Sequence, residues 1–399
     1  MELTKGQQEA LDVIVKRYID GEKYTVISGP AGSGKSTTIK YAIQKLVDEC
    51  GLNPEDVCYA TFTGKAAKVL QQKGNANVST LHKLLYQAYP QEDGTFFFKP
   101  KDHLEHSFLV IDECGMLPDS MFKQIMNYHC HVLFLGDENQ LPPIDKTSDS
   151  HLLDYPHVRL TEIMRQALDS DIIKVATDIR MGVKLKPYHG KDVQIFHASD
   201  LTTGMLEWAD QIITATNKKR IELNNIVREL NGYSPNRLEC GEKLICVKNE
   251  WDTLSFNEVP LINGTILETN RVEEYTRFVP RNIKGQGGKP YQIYRVYGDE
   301  DGDAFPALNV DKKYLFTGEN TLDQQTLFKM RKLPKRMKVY PPKEFQFGYA
   351  ISCHKAQGSE WDKVLIIEEK FPFSPDEHKK WLYTAVTRAS KKAVIILKD

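Results

Sequence analysis

The sequence predicts an α/β protein built on parallel sheets in two bodies, with two smaller β insertions. Three observations predict it. Short apolar strands alternate with helical stretches over residues 1–86 and 107–150, and the pattern restarts over 151–247 and from Phe347 to Lys398. A Gly-rich loop, Gly29 to Thr37, sits between a strand and a helix near the start. From about 248 to 340 the alternation gives way to short β-like runs.

The elements follow in order. Tyr24 to Ser28 has the β-branched, aromatic bias of a buried strand, and Ile39, Ala42, Ile43, Leu46 and Val47 recur at helical spacing until Gly51. Between them GPAGSGKST meets G-x-x-x-x-G-K-S/T with Gly29, Gly34, Lys35 and Ser36. Pro30, Ala31, Gly32, Ser33 and Thr37 complete a loop whose backbone N–H groups converge on an anion at a helix N-terminus. Lys35 then reaches the β- and γ-phosphates and Ser36 holds Mg²⁺. An ordinary Gly-rich turn is the bland alternative, and the strand and helix on either side favour a nucleoside triphosphate.

Ala66 to Leu70 reads as helix, and Gln87 to His106 as a polar hairpin turning at Asp93-Gly94 and continuing through Thr95 to Phe98. Period-2 alternation puts Phe96 and Phe98 on one face and Phe97 on the other. Phe108 to Asp112 is an apolar strand ending in Asp112 and Glu113. A carboxylate at Asp112 suits Mg²⁺, and one at Glu113 suits a general base for water, which means hydrolysis rather than transfer to an acceptor. Val132 to Leu135 runs into GDENQLPPI, whose Asp137 and Gln140 fall at a strand's C-terminal end, where open α/β sheets bind ligands. Gln140 both donates and accepts, so it can report on a γ-phosphate or a water beside it. Further on, Gly264 to Leu267, Tyr291 to Tyr297 and Tyr314 to Phe316 read as strands, with loops at Lys284 to Pro290 and Gly298 to Asp303. Phe347 to Cys353 reads as one strand.

A chain of 399 residues with 41% hydrophobic content has core enough for two or more domains. Seven cysteines without a CxxC pair read as reduced thiols of a cytoplasmic protein. His103, His106, His129, Cys130 and His131 fit no common zinc spacing. No apolar run approaches the roughly 20 residues of a membrane span, and the charged start Met1 to Lys5 is no signal peptide. A net charge of −1 is unlike a protein that coats nucleic acid electrostatically. Basic clusters are local: Lys329 to Lys343 holds seven basic residues and no acid, and Lys218, Lys219 and Arg220 form a second. Each reads either as a solvated face or as a lining for a nucleic-acid path.

The Gly-rich loop, the DE pair and GDENQLPP, taken together, resemble the superfamily 1 helicases. The match extends along the chain. LTKGQ is similar to the motif in which a glutamine reads adenine, implying Gln7. TFTGKAAKVL resembles a strand-contacting motif, with Phe62 where proline is usual, implying Thr63, Gly64 and Lys65. STLH implies Thr80 and His82, LTEIMRQ supplies Arg165, and ITATN implies Asn217. ISCHKAQGSEWD implies His354 and Lys355 on the strand and Gln357, Gly358 and Glu360 toward the nucleotide. LYTAVTRA supplies Arg388, and Gly115 stands where serine is common. Residues 250 to 340 carry no such motif. The resemblance is to the RecD-like branch, superfamily 1B, with the compact size of the Dda-type phage helicases.

That resemblance implies two RecA-like domains: 1–150, carrying a pin insertion at about 87–106, and 151–247 plus 341–399. Residues 248–340 then form an SH3-like β insertion. It implies an ATP- and Mg²⁺-dependent DNA helicase moving 5′→3′, functional as a monomer, with single-stranded DNA and forked duplex as partners and replication or recombination proteins nearby. It places the protein in the cytoplasm of a bacterial or phage-infected cell, with no membrane association. Phe98, supported by Phe96, is the aromatic expected at the fork, against the alternative that the phenylalanines pack the hairpin onto its domain. An RNA helicase, or a translocase without strong unwinding, stays open because phosphate and stacking contacts do not read the 2′-OH. A small-molecule kinase has no need of GDENQLPP. A GTPase wants N-K-x-D, which Asn217-Lys218-Lys219-Arg220 lacks. A non-enzymatic loader is disfavoured by Glu113.

Overall fold

Two parallel sheets carry the loops of interest at their strand ends. A computed structural model describes residues 3–90, 96–142, 151–164, 169–283, 285–331, 333, 341–370 and 374–398, without the side chains of Lys65, Pro90, Phe96, Trp251, Asp252 and Arg331.

The chain opens with α1 (Lys5–Ile19), capped reciprocally: the Thr4 hydroxyl accepts from the Gln7 N–H, and the Gln7 amide oxygen accepts from the Thr4 N–H. β1 (Tyr24–Ser28) leads into α2 (Lys35–Cys50), which begins after Gly34 and stops at Gly51, both glycines left-handed. Then come β2 (Val57–Thr61), α3 (Gly64–Gln72), β3 (Val78–Thr80) and α4 (Leu81–Leu85). β4 (Tyr86–Pro90) and β5 (Phe96–Pro100) pair as a separate hairpin, shorter than the 87–106 expected, with its turn outside the described residues. β6 (Phe108–Ile111), α5 (Asp119–Ile125), β7 (His131–Gly136) and β8 (Val158–Arg159) follow.

The first sheet runs β3-β2-β6-β7-β1-β8, all parallel. β6 and β7 are buried along their whole length, as strands covered on both faces must be. Ile14 of α1 and Leu46 of α2 pack with Phe108 and Leu133 in that core, and truncating Leu46 to alanine there costs about 2–5 kcal/mol. The sheet runs beyond residue 150: β8 lies along β1, and the His157 ring accepts the Val26 N–H at 2.8 Å.

The second sheet draws on both ends of the remaining chain. α6 (Asp171–Arg180), β9 (Tyr188–His189), β10 (Val193–Phe196), α7 (Thr203–Trp208) and β11 (Gln211–Thr214) precede α8 (Asn217–Leu230). After that come β12 (Lys243–Cys246), β13 (Glu250–Leu254), β14 (Pro260–Leu261), β15 (Ile266–Phe278), β16 (Pro290–Glu300), β17 (Asp303–Ala304) and β18 (Leu308–Asp311). The chain continues with α9 (Lys312–Thr317), α10 (Gln324–Arg331), β19 (Phe345–Phe347), β20 (Ala350–Ser352) and α11 (Cys353–Ala356). It closes with β21 (Trp361–Ile367), α12 (Pro375–Val386) and β22 (Ala389–Ile396). β11, β21, β22 and β10 lie parallel in that order, and β9 closes the edge antiparallel.

Both parallel sheets belong to one compact unit, Met1–Leu85 with Pro100–Thr216 and Ser352–Asp399. The hairpin Tyr86–Lys99 groups with Asn217–Ile351 in the other. That second unit holds an antiparallel sheet, β17-β16-β15-β12-β19, with β18 on β16. Its strands therefore span 243–347, wider than the 248–340 expected. Tyr314–Phe316 is helix, not strand: the Asp311 carboxylate accepts the Tyr314 N–H and Gly318 ends the turn left-handed. Gly298 lies within β16 rather than in a loop, and a Cβ there would stand 2.6 Å from the Glu268 carbonyl. Phe347 to Cys353 is split between β19, β20 and α11.

A buried ion pair organises this unit. Arg228 and Glu242, 2% and 0% exposed, meet at 2.5 Å, and Arg228 also donates to the Ser234 and Arg237 carbonyls and lies over the Phe347 ring. Removing Arg228 alone leaves a buried carboxylate without its cation, a loss of about 3–5 kcal/mol.

Candidate nucleotide site

The Gly-rich loop is shaped by contacts only glycine allows. A Cβ on Gly29 would stand 2.7 Å from Ser33 Oγ and 2.9 Å from Leu160 Cβ. Gly32 and Gly34 have φ of 78° and 79°, and a Cβ on Gly34 would meet Gln7 Nε2 at 2.2 Å. Ser33 Oγ is buried without a hydrogen-bond partner among the described residues, and Ser36 is exposed at the start of α2. Lys35 Nζ donates to the Gly29 carbonyl and to the Pro30 carbonyl at 3.2 Å. A cradle of backbone at a helix N-terminus, with an ammonium folded over it, fits a triphosphate. Gln7 lies against the loop, but it is fully buried and its amide serves the α1 cap and, at 3.5 Å, the Gly34 carbonyl. Here the Gln7 amide, expected to face a base, packs against the loop.

The end of β6 carries the acids. Asp112 Oδ1 accepts the Glu113 N–H at 2.8 Å, and Glu113 itself is left-handed at φ 55°, ψ 42°. Gln140 Nε2 lies 3.5 Å from Glu113 Oε1. Burial pushes the Glu113 carboxyl above its ordinary range, the Arg388 charge opposes that, and the Asp112 charge adds to it. Asp112 and Ser36 present the hard oxygen donors that fit Mg²⁺.

Several side chains link the two sheets here. Arg388 follows α12 and is 4% exposed; its Nη1 lies 3.8 Å from Glu113 Oε1, and its other nitrogens donate to the Thr384 carbonyl and the Thr387 hydroxyl. Gln357 Nε2 donates to the Leu141 carbonyl at 2.6 Å, and the Thr384 hydroxyl accepts the Leu141 N–H at 2.8 Å. The Thr63 hydroxyl donates to the Gly358 carbonyl at 3.4 Å. The Tyr383 hydroxyl accepts the Ala31 N–H and donates to Asp137. Gln357, expected to face nucleotide, is buried against the Asp137–Leu141 loop and lines a cavity beside Glu113, and Glu360 is exposed. That cavity, of about 120 Å³, is also lined by Gln140, Asp137, Leu141 and Lys380. Tyr383 and Thr384 carry no role in the sequence reading, although both sit inside LYTAVTRA. Arg165 lies outside the described residues, and its neighbour Met164 donates its N–H to the Gly32 carbonyl.

Comparison with known proteins finds helicases among the similar chains. The family described as an AAA domain matches residues 2–198, and the UvrD-like helicase C-terminal domain matches residues 347–396. The ATP-dependent DNA helicase dda of Enterobacteria phage T4 is 23% identical, with 97% of each chain covered. The ATP-dependent RecD2 DNA helicase of Deinococcus radiodurans is 26% identical over 97% of this chain and 48% of its own length. These likenesses support a superfamily 1B helicase. A crystal structure of the Pif1 helicase from Bacteroides with ADP-AlF3 and ssDNA covers 99% of the chain and 92% of that protein, at 19% identity and a TM-score of 0.47.

The residues expected on the strand are scattered in environment. Thr63 caps α3 by accepting the Ala66 N–H, which places Gly64 and Lys65 on the first turn of that helix. Thr80 and His82 are buried at 4% and 7% exposure, the Thr80 hydroxyl accepts the Lys83 N–H, and burial pulls the His82 pKa down to about 4. Neither side chain is presented at a surface, because β3 and α4 fold them inward. His354 and Lys355 are half-buried on α11, and burial lowers the His354 pKa. Asn217 is exposed at the start of α8. Just before it, Glu369 accepts the Ala215 and Thr216 N–H groups at 2.7 and 3.0 Å, a support for the ITATN loop that no motif pointed to. The two basic clusters are less free than their sequence suggests: Arg220 is 3% exposed, Lys219 pairs with Glu222 and Lys343 with Glu250, and residues 332 and 334–340 lie outside the described residues. Among the described residues no helix is long and apolar enough to cross a membrane.

Proposed function

We propose that this chain hydrolyses ATP between its two parallel sheets and uses the cycle to move 5′→3′ along single-stranded DNA, separating duplex as it goes. The observation that carries the reading is Arg388 of the second sheet lying 3.8 Å from Glu113 of the first, with the Gly-rich loop and Gln140 alongside. A site completed from two sheets makes hydrolysis depend on their approach.

Each residue has a task. Lys35 and the loop N–H groups hold the phosphates. Ser36 and Asp112 are the residues that would hold Mg²⁺, which when bound neutralises charge on the β- and γ-phosphate oxygens. Glu113 accepts the proton of the attacking water, and its raised pKa makes it a stronger base near neutrality. Gln140 orients that water. Arg388, and Arg165 with it, stabilises the charge spread over the transferring phosphoryl group, where the fixed planar fork of arginine is suited. Thr63, Gly64, Lys65, His354, Lys355 and Asn217 are the strand contacts, alternately tightened and released by closure. The named relatives act on DNA, which favours DNA over RNA.

The test measures ATP hydrolysis with single-stranded DNA and RNA, then unwinding of partial duplexes, with Lys35→Ala as the inactive control. DNA should stimulate hydrolysis at least tenfold and support unwinding. Stimulation by RNA alone would transfer the reading to RNA, and no stimulation by either would end it.

A further inference from the structure

Tyr383 lies on α12, five residues before Arg388, and its side chain is almost fully enclosed at 2% exposure. Its hydroxyl accepts the Ala31 N–H at 2.8 Å and donates to Asp137 Oδ2 at 2.5 Å. Asp137 Oδ1 accepts the Asn139 N–H at 3.0 Å and the Asn139 amide at 2.9 Å. One oxygen therefore joins three pieces of the site: the phosphate loop, the loop bearing Gln140, and the helix that leads to Arg388. The adjacent Thr384 hydroxyl fastens the same helix to Leu141, one residue beyond Gln140.

A phenol is the group this position needs. It must accept from a backbone N–H and donate to a carboxylate at once, and a buried donor or acceptor left alone is costly. Burial, and then the Asp137 charge, push the Tyr383 pKa upward, so the hydroxyl keeps its proton. Ala31 sits in the phosphate loop and Asp137 at the end of β7, so the hydroxyl registers α12 against two strand ends of the first sheet together. Arg388 sits on the short segment that follows α12, and a shift of that helix is carried directly to its guanidinium. A misplacement near 1 Å can cost about a hundredfold in rate.

We propose that Tyr383 is a positioning residue for hydrolysis: its hydroxyl locks the register between the phosphate loop, the Gln140 loop and α12, and thereby sets Arg388 over the reacting phosphate. Tyr383 does not itself touch the reacting atoms. The inference rests on the strand-stimulated ATPase reading above.

The test is Tyr383→Phe, which keeps the ring and removes the oxygen, measured in wild-type and Arg388→Ala backgrounds. Alone, it should lower the kcat of DNA-stimulated hydrolysis tenfold or more while the KM for ATP moves less than threefold. In the Arg388→Ala background the same change should move kcat less than twofold, because the residue it positions is gone. Thr384→Val, which removes only the Leu141 link, should show a smaller loss with the same dependence on Arg388, and it serves if Tyr383→Phe does not fold. A full loss of kcat in both backgrounds, a change confined to KM, or a lowered Tm with kcat unchanged would overturn the proposal. A wild-type protein without DNA-stimulated hydrolysis would overturn the parent reading, and this one with it.

Discussion

Glu113, the proposed base, is held in a backbone conformation unusual for its residue type. Its backbone sits at φ 55°, a region that costs a non-glycine residue about 1–3 kcal/mol, and the Asp112 carboxylate holds it there through the Glu113 N–H. The twist turns the side chain toward Gln140 and Arg388. Glu113→Gln preserves shape and removes the base, so nucleotide affinity should persist while kcat falls about 10²–10⁴-fold, a range set by general-base catalysis. Near-normal turnover in that variant, measured by phosphate release, would falsify the assignment. The sign of the pH dependence follows from the raised pKa. Glu113 must be ionised to act, so hydrolysis should fail on acidification at a pH above the ordinary carboxylate range.

At the scale of the element, the chain on either side of the hairpin is tied together at Leu85 and Lys101, and the phenylalanines of β5 differ in exposure. The Lys101 N–H donates to the Leu85 carbonyl at 2.9 Å, and the Tyr128 hydroxyl lies 3.3 Å from the Leu85 carbonyl and 2.9 Å from that of Lys101. Phe97 is 55% exposed whereas Phe98 is half-buried, so the phenylalanine free to meet an unpaired base is the one on the opposite face from the sequence expectation. Base–aromatic stacking contributes about 1–3 kcal/mol, comparable with the ~1.4 kcal/mol of a duplex step. Phe97→Ala should therefore slow unwinding several-fold and leave single-strand translocation intact. Phe98→Ala tests the original assignment in the same assay. Equal loss of translocation and unwinding in both variants would assign the aromatics to packing. The reading of Tyr314–Phe316 as strand failed for a local reason. Tyr314–Phe316 has strand-forming side chains, but the Asp311 cap and Gly318 stop override that local preference.

At the scale of the molecule, direction of travel is the property no single contact sets. It depends on which sheet grips the strand at each stage, and the likeness to RecD-type helicases points to 5′→3′. Duplexes with a 5′ tail should be unwound and those with only a 3′ tail should resist; the reverse pattern would sink the assignment. The sequence by itself marked the candidate nucleotide site: the loop from Gly29 to Thr37, the Asp112-Glu113 pair and Gln140 were legible from residue types at short spacing after strands, and Arg388 through the resemblance of LYTAVTRA. It also determined two parallel α/β sheets, through the period of their apolar residues. Tertiary structure decided what sequence distance hides. It placed Val158–Arg159 beside β1, drew Lys243–Cys246 and Phe345–Phe347 into the antiparallel sheet, and turned Thr80, His82 and Gln357 inward. It also brought Tyr383 to Ala31 and Asp137, residues some 352 and 246 positions away. Burial and long-range hydrogen bonding depend on how elements pack, and a residue's neighbours in sequence carry no record of that.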